Sequence, residues 1–588
     1  MEVNDSNMQA LAGYLQQTLS HDTTQRRAAE KFLESVEGNQ NYPVLLLHVM
    51  DKQDADQHIR VSAAITFKNY IKRNWRVVED VGDRIHPTDR NTIKQSIVEL
   101  MLKSPEQIQR QLSDAISIIG REDFPDKWPD LLHQMITRFK SGDFHIINGV
   151  LRTAHSLFKR YRHEFKSNEL WKEIKFVLDN FANPLTELFN GTMELATKYA
   201  DKPDALKIIF SSLVIICKIF YSLNYQDLPE FFEDNMATWM THFHTLLTTD
   251  NKLLKTQDEE EAGLLEQLKS QICDNVAMYA QKYDEEFSPH LPTFVTAIWN
   301  LLTSTGMQVK YDLLVSNAIQ FLASVAERPA YKSLFEDEST LANICEKVIV
   351  PNMEFRQADE EAFEDNPEEY IRRDIEGSDV DTRRRAACDL VRALCKSFEG
   401  PVIQKFSQYV QMMLAEHSKN PAANWKNKDT AIYLVTSLAS KAQTQKHGTT
   451  QTSDLVNLTD FFQSQIVPEL QSPNVDEHPV LKADAIKYVM TFRNQLSKEL
   501  LVACIPCLMQ YLKAKSQVVH SYAACALEKI IVLKAPGGHT PLVTKDDVSS
   551  CTEALLTNLF AALDLPGSSE NEYIMKAIMR TFSLLQEG

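Results

Sequence analysis

Apolar and polar residues follow one another along this chain with the spacing of amphipathic helices, and the same helix start recurs. An apolar residue and a basic residue open each segment, alanine follows at helical spacing, and an apolar stripe continues from there. This pattern occurs at residues 59–70, 309–325, 382–394, 481–492 and 574–582. Helices that recur every few dozen residues indicate a stacked array of units rather than one globular core.

Twelve inner helices of such an array can be placed on the sequence. Their predicted starts are near residues 22, 60, 112, 150, 208, 268, 312, 383, 430, 482, 520 and 575. The mean step is about 50 residues, nearer to the ~40–47 of two-helix HEAT units than to the ~34 of tetratricopeptide or the ~33 of ankyrin units. The sequence therefore predicts an all-α fold, an α-α superhelix of about twelve HEAT repeats with no sheet.

The longest step contains an acidic insertion, residues 352–380. It carries eleven acidic and three basic residues, so it supplies −8 of the chain's net charge of −18. Aromatic and apolar residues lie among its charges, which favours a loop that docks onto something over a disordered acidic linker, the alternative reading. An acidic loop on a concave wall would meet a basic partner by complementary charge. The candidate contact residues are Glu360, Glu361, Glu364, Asp365, Glu368 and Glu369.

Composition narrows the class of protein further. With 80 acidic and 62 basic residues, the surface repels nucleic acid and anionic membranes and suits protein partners. The nine cysteines form no even framework, and the first ten residues show no secretory signal, which predicts a soluble protein in a reducing compartment. The most apolar run, residues 208–223, is shorter than the ~20 residues that a bilayer span needs, so no membrane insertion is expected.

Sequence signatures of catalysis are absent. The chain has no glycine-rich phosphate loop, no HExxH zinc motif and no GxSxG elbow. Cys504 and Cys507 form a lone CxxC inside an apolar helix pattern, for which packing is the simpler explanation than metal or redox chemistry. We therefore expect no enzyme, no catalytic residue, no cofactor and no metal site.

Several segments resemble one superfamily. Residues 26–33, 59–71 and Trp75 look like the amino-terminal domain of importin-β-type transport receptors, and residues 120–129 resemble a third-repeat segment of the same receptors. The acidic insertion with residues 370–374 and 381–385, and the run 158–171, are similar to the branch of export receptors whose cargo is importin-α. Trp75, Phe124 and Trp128 match superfamily positions too, and core packing is the expected role of these three.

The resemblance implies nuclear export. Such receptors bind GTP-bound Ran and importin-α together in the nucleus, contact nuclear pore proteins and shuttle between nucleus and cytoplasm. It implies four domains, which are residues 1–103 (importin-β-type amino-terminal domain), 104–351 (HEAT repeats), 352–380 (acidic insertion) and 381–588 (HEAT repeats). A HEAT scaffold and an importer of the same superfamily are the alternatives.

The last helix looks uncapped, because Ile574, Ile578, Phe582 and Leu585 share one face with no further unit to cover them. We therefore expect a truncated form of a longer receptor, with impaired activity.

The helix that begins near residue 57 offers a second candidate surface. Its predicted core stripe includes Ile59, Ala63 and Phe67. At 100° per residue, three basic side chains fall on the opposite face, where a partner on the concave side could reach them. These candidate contact residues are Lys68, Lys72 and Arg76. Ordinary solvated lysines are the alternative.

Overall fold

A computed structural model describes residues 1–444 and 446–586, and the chain divides into two units, residues 1–297 and 298–588. The first unit contains fifteen α-helices, and a sixteenth crosses the boundary between the two units. They are α1 (Asp5–Gln17), α2 (Thr23–Val36), α3 (Tyr42–Asp51), α4 (Gln57–Asn74), α5 (Pro87–Lys103), α6 (Glu106–Asp123), α7 (Leu131–Ile136), α8 (Phe144–Phe158), α9 (Asn168–Val177), α10 (Asn183–Lys198), α11 (Pro203–Asn224), α12 (Glu230–Asp234), α13 (Met236–Leu247), α14 (Leu264–Lys282), α15 (Asp284–Phe287) and α16 (Leu291–Ser304).

The second unit adds fifteen α-helices and one hairpin. They are α17 (Asp312–Ala326), α18 (Glu338–Ile344), α19 (Val350–Met353), α20 (Gln357–Asp365), α21 (Pro367–Ile375), α22 (Arg383–Lys419), α23 (Trp425–Ala439), β1 (Ser440–Thr444), β2 (Gly448–Thr452), α24 (Leu458–Phe461), α25 (Val467–Leu470), α26 (Pro479–Thr491), α27 (Lys498–Tyr511), α28 (Gln517–Ile531), α29 (Lys545–Val548), α30 (Thr552–Leu563) and α31 (Glu572–Gln586).

Short 3₁₀ and π segments connect or extend these helices. The 3₁₀ turns are Thr137–Ser141, Lys159–Arg162, Lys252–Leu254, Ser288–His290, Val309–Tyr311 and Pro329–Leu334. The π segments are Leu178–Ala182, Cys345–Ile349 and Phe462–Ile466.

One row of helices forms the interior of each unit. In the first unit α4 packs on α6, α6 on α8, α8 on α11 and α11 on α14. In the second unit α17 packs on α22, and α23, α26, α28 and α31 follow in order. Eleven of the twelve predicted helix starts fall on these rows. A helix does begin near residue 22, but the prediction that it is an inner helix is wrong, because α1 rather than α2 makes the larger contact with α4.

Side-chain caps explain where many of these helices begin. The carboxylate of Asp56 accepts the backbone N–H of His58 at 2.8 Å at the start of α4. The Thr382 hydroxyl accepts the N–H of Arg385 at 3.2 Å at the start of α22. Such oxygens satisfy the backbone donors of the first turn, which have no partner inside the helix. The helix α22 combines two helices across a kink, because Phe398 has φ −135° and ψ 38° and Pro401 follows.

The expectation of no sheet is wrong. Strands β1 and β2 pair antiparallel, with Thr444 opposite Gly448, and their bulged register is polar rather than alternating. Gly448 has φ +73°, and a Cβ there would come within 3.0 Å of the Thr491 carbonyl oxygen, so glycine alone fits this point. The short Thr- and Gln-rich segment gives too weak a strand pattern to distinguish from a loop.

Among the described helices, α11 alone is both long enough and apolar enough to pass for a membrane span. It has 22 residues, so it is long and apolar enough to span a bilayer by length and composition, contrary to the expectation from the run 208–223. However, 67% of its apolar stretch is buried inside the protein, against α8 on one side and α14 on the other. Its apolarity is therefore explained by its place in the middle of a helical row.

The expectation of an acidic loop is also wrong. Residues 357–375 form the two helices α20 and α21, and Phe355, Phe363 and Ile371 are buried in the main apolar cluster of the second unit. The sequence correctly indicated that the segment docks, but it docks on this chain's own core. We call residues 352–380 the acidic insertion throughout.

The last helix, α31, buries a different face from the predicted one. Ile574, Ala577 and Leu584 pack inward against α28 and α30, so the expectation that Ile574 is uncovered is wrong. Ile578 and Leu585 are half-buried. The exposed apolar side chains of this helix are Met575, Met579 and Phe582, of which only Phe582 was expected.

Candidate partner-binding surfaces

The basic end of α4 lies on the first helical row. Ala63 and Phe67 are fully buried, as the predicted stripe requires, and Ile59 is half-buried. Lys72 and Arg76 are exposed and Lys68 is half-buried, whereas the intervening Arg73 pairs with Glu37 at 2.7 Å. Within the described residues, no ion pair involves Lys68, Lys72 or Arg76, so their charges are available to a partner.

A tryptophan fixes the turn that follows this basic end. Trp75 is 1% exposed, its indole Nε1 donates to the Asp123 carboxylate at 3.2 Å, and the Arg90 guanidinium lies 4.4 Å from its ring centroid. Phe124 and Trp128 are buried as well. The expectation that these three aromatic residues pack in the core is confirmed. The hydrogen bond from Trp75 to Asp123 ties the end of α4 to the end of α6, next to Lys72 on α4 and Arg76 just beyond it.

The candidate acids of the insertion line the outside of α20 and α21. Glu361, Glu364, Asp365, Glu368 and Glu369 are exposed, and Glu369 pairs with Arg373 at 3.3 Å within its own helix. Glu360 differs from the rest, because it is half-buried and its carboxylate lies 3.4 Å from the Lys426 ammonium. The structure therefore brings five of the six candidate acids together as an exposed surface, and it gives the sixth an internal partner.

Aromatic contacts hold the buried face of the insertion against α23. The ring centroids of Phe363 and Tyr370 are 5.0 Å apart, and Phe355 lies 5.7 Å from Trp425 of α23. These edge-to-face pairs add to the burial of apolar area. The insertion is thus an amphipathic layer, apolar toward α23 and acidic toward solvent.

Asp374 forms a buried polar link at the end of α21. Its carboxylate accepts from the Tyr433 hydroxyl at 2.6 Å, from the Lys487 ammonium at 2.7 Å and from the Tyr522 hydroxyl. Burial alone would raise the pKa of Asp374, but the Lys487 charge and these three hydrogen bonds outweigh burial and hold that pKa below its usual value. The link joins the insertion to α23, α26 and α28.

Two arginines hold the other end of the insertion, Arg384 at the start of α22 and Arg356 within the insertion itself. Arg384 donates to the Met353 carbonyl oxygen at 2.8 Å, lies 4.0 Å from the ring centroid of Tyr433 and pairs with the buried Asp429. Arg356 makes a bidentate contact with Asp312, at 2.8 and 3.0 Å. Both ends of the insertion are therefore fixed by charged hydrogen bonds, which are the stronger class.

Sequence reasoning missed Asp374 and Arg384. Their partners lie far away along the chain, as shown by the 113 residues between Asp374 and Lys487 and the 45 between Arg384 and Asp429. The one available signal was the helical spacing of Phe363, Tyr370 and Ile371 among the acids, which is typical of an amphipathic helix rather than a loop.

The cysteines show no sign of chemistry. Cys504 is buried in α27, Cys507 is half-buried, and burial raises the pKa of the Cys504 thiol to about 12. A buried thiol with a raised pKa is inert, which agrees with packing. Across the residues that the structure describes, no group of three or more His, Cys, Asp or Glu side chains could hold a metal ion.

A cleft of about 500 Å³ opens in the second unit. Its lining is mixed, since apolar side chains such as Trp299, Leu302 and Met307 face Lys347 and Asn352.

Comparisons with known proteins cover the whole chain. The importin-beta N-terminal domain family matches residues 29–103, the Cse1 family matches residues 157–527, and the family described as CAS/CSE protein, C-terminus, matches residues 528–588. A solved structure described as the exportin Cse1 in its cargo-free, cytoplasmic state is 38% identical. It superposes with a TM-score of 0.88 over 98% of this chain and 61% of that chain. A crystal structure of importin beta, 15% identical, shares the fold with a TM-score of 0.60 over 98% of this chain and 61% of that chain.

These likenesses define an all-α HEAT-repeat protein of the importin-β superfamily, as the sequence predicted. Curated relatives called exportin-2 are 71% identical in Danio rerio and 70% identical in Homo sapiens, over 588 residues in each case. The chain belongs to the Cse1 family, the exportin-2 branch of that superfamily. It spans 60% of the length of these relatives.

Proposed function

We propose that this chain is a nuclear export receptor, or the amino-terminal part of one, that carries importin-α to the cytoplasm together with GTP-bound Ran. The observation that carries the proposal is the match of residues 157–527 to the Cse1 family, joined to an importin-beta N-terminal domain at residues 29–103. The solved relative named in a cargo-free, cytoplasmic state is called an exportin, which fits a receptor that releases its cargo there.

Two surfaces of opposite charge would serve this function. The exposed acids of α20 and α21 suit a basic partner surface, and Lys72 and Arg76 at the end of α4 suit an acidic one. Because the acids lie on α20 and α21, Lys72 lies on α4 and Arg76 follows the buried Trp75, these surfaces bring little ordering entropy into a complex. We assign the acidic surface and the basic end of α4 to contacts with Ran or importin-α.

Nuclear pore proteins are the third class of partner in this proposal. The cleft beside Trp299 supports it, because its lining offers an apolar wall and the cation of Lys347 to the side chains of a partner. Shuttling between nucleus and cytoplasm follows from such contacts. The receptor acts by binding alone, and the Cse1 family is not an enzyme family.

One binding experiment separates the three candidate classes. The affinity of this chain for importin-α is measured without Ran, with GDP-bound Ran and with GTP-bound Ran. Export requires positive coupling, so GTP-bound Ran should raise the affinity, typically 5–150-fold for coupled sites. An importer would show weaker binding with GTP-bound Ran, and a HEAT scaffold would show no change. Either of these results would contradict the proposal.

A charge-reversal variant tests the acidic surface. Glu364, Asp365, Glu368 and Glu369 are replaced by lysine, with Glu360 kept because it pairs with Lys426. Affinity for GTP-bound Ran or importin-α should fall, most clearly at low salt, because screening lengths shrink from ~10 Å at 0.1 M to ~3 Å at 1 M.

The matched control makes the same change of charge elsewhere. It replaces four other exposed acids by lysine, which are Glu260, Glu261, Glu285 and Glu286. This control should bind as the parent does. If both variants bind as the parent does across a salt titration, the acids of the insertion are only solvated and contact neither partner.

A further inference from the structure

Four basic side chains meet in the first unit, outside the surfaces assigned above. His155 lies in the last turn of α8, Lys159 and Arg162 belong to the 3₁₀ turn that follows, and Lys218 belongs to α11, which packs on both. Burial, and to a smaller extent the charges of the other three bases, lower the pKa of His155 to about 3. Because α11 packs on α8 and on the 3₁₀ turn, the four residues lie in one region of the first unit.

Of the cations on the 3₁₀ turn, Arg160 is neutralised by ion pairs, whereas, within the described residues, Lys159 and Arg162 are not. Arg160 points into ion pairs with Glu164, at 3.1 Å, and with Glu173. In the part of the chain that the structure describes, Lys159, Arg162 and Lys218 form no such pair. The positive charge of these three residues is thus not neutralised by a neighbouring ion pair.

One acidic side chain comes near this group. Asp274 of α14 attracts Arg162, and burial raises the pKa of Asp274 to about 6. Even when it is ionised, this single carboxylate cannot balance three cations. The local potential is positive on a chain whose total charge is −18.

The Arg162 guanidinium is fixed before any partner arrives. Its Nε donates to the Ser222 hydroxyl at 2.9 Å, its Nη2 donates to the Lys218 carbonyl oxygen at 2.8 Å, and its carbon lies 4.7 Å from the Tyr221 ring centroid. Its Nη1 donates to no acceptor among the described residues. A planar donor held in this way loses little entropy when it binds a carboxylate.

We propose that Lys159, Arg162 and Lys218, here called the Arg162 surface, form a docking site for an acidic segment of a protein partner. Charge complementarity selects the occupant, since three cations beside one carboxylate suit a run of a few further carboxylates. A nucleic acid fits less well, because its dense charge, one per ~1.7 Å of duplex, would be repelled by the net charge of the whole chain.

The probe is a fluorescently labelled decaglutamate peptide, measured by anisotropy at low and at physiological salt. The variant Lys159→Glu/Lys218→Glu should bind it at least roughly tenfold more weakly, and the difference should shrink as salt rises. Lys159 is exposed, and a glutamate at position 218 would attract Arg162, so the variant should fold.

The control Lys172→Glu/Lys207→Glu makes the same change of net charge at two exposed lysines. It should bind within about twofold of the parent, since only local charge is involved. Equal weakening in this control would overturn the proposal, as would unchanged binding in the first variant.

A second variant tests the role of the guanidinium. Arg162→Lys keeps the charge but loses the planar fork, so affinity for decaglutamate should fall roughly fivefold while the thermal midpoint is checked separately. A 20-base-pair DNA duplex forms the last arm. If DNA binds more tightly than decaglutamate at physiological salt and depends on Lys159 and Lys218, the surface is a nucleic-acid site and the proposal is wrong.

Discussion

Two segments interrupt the helical row of the second unit, and they are attached to it in opposite ways. The acidic insertion buries Phe355, Phe363 and Ile371 in the main apolar cluster. The hairpin β1–β2 is held by polar groups, since Arg493 donates to the Lys446 carbonyl oxygen at 2.7 Å and Gln495 to the Thr449 carbonyl oxygen at 2.8 Å. The comparison teaches that a few apolar residues decide whether a segment joins the core, whatever its net charge.

The largest effect should come from removing an apolar anchor of the insertion. Phe363→Ala should destabilise the second unit by about 3–5 kcal/mol, because a buried ring leaves a cavity. Urea unfolding monitored by circular dichroism measures the change, and hydrogen exchange should rise first across residues 357–375. The control Phe560→Ala removes a ring that is 49% exposed and should cost only about 1 kcal/mol, because half of the ring is already in water. Similar losses in both variants would contradict the anchored insertion.

The second largest loss of stability should come from breaking the buried polar link at Asp374. Asp374→Asn should cost about 3 kcal/mol, because it leaves the Lys487 ammonium without its counter-charge. The pKa of Asp374 is lowered in the folded state. The Asp374 carboxylate therefore contributes fully to the free energy of unfolding above its unfolded pKa of about 3.9. That contribution is lost as pH falls from there through the folded pKa. Parent and variant should therefore converge in stability only in acid.

A double-mutant cycle isolates this pair. The variant Asp374→Asn/Lys487→Met removes both charges, so its loss should be smaller than the sum of the two single losses. Additive losses would show that Asp374 and Lys487 do not interact across α21 and α26.

The hairpin should respond more weakly than either site. Arg493→Met removes the donors to Lys446 and Met490 and should cost about 1.5–3 kcal/mol, the range for hydrogen bonds to charged groups. Hydrogen exchange at β1 and β2 should increase, while residues 357–375 stay protected. Loss of protection in both segments would show that they are not attached independently.

The smallest effect should come from the exposed acids of the insertion. Replacing Glu364, Asp365, Glu368 and Glu369 by glutamine should change the free energy of unfolding by about 0.5 kcal/mol or less, because exposed charges are screened. Thermal unfolding in low and high salt measures this. A loss comparable to that of Phe363→Ala would mean that the acids, and not the apolar anchors, hold the segment.

The sequence predicted the repeating part of this fold well, for a physical reason. Each inner helix must bury its stripe against the next one, so residues such as Ala63, Phe67 and Ala485 leave a local, periodic signal. The basic end of α4 followed from the same periodicity. The local signal placed eleven of the twelve inner helices, but it misjudged the exposed face of α31, where Ile574 is buried.

The prediction failed where long-range contacts decide the outcome. The charge density of residues 352–380 suggested a loop, because nothing near Asp374 in sequence reveals Tyr433, Lys487 or Tyr522 as its partners. The hairpin was missed for the same reason, since its main donors lie about 45–47 residues away. Sequence pattern identifies which residues are apolar or charged, and the stacking of distant helices decides which of them meet.

The apolar helix α11 also has a consequence for the synthesis of this chain. Its α8 side can be covered as soon as it leaves the ribosome, but its other side is covered only when α14, which ends at Lys282, has been made. At 5–20 residues per second, the roughly 60 residues in between take about 3–12 s. For that interval the nascent chain presents a bare apolar ridge, which makes residues 203–224 the natural place for a chaperone to hold the unfinished protein.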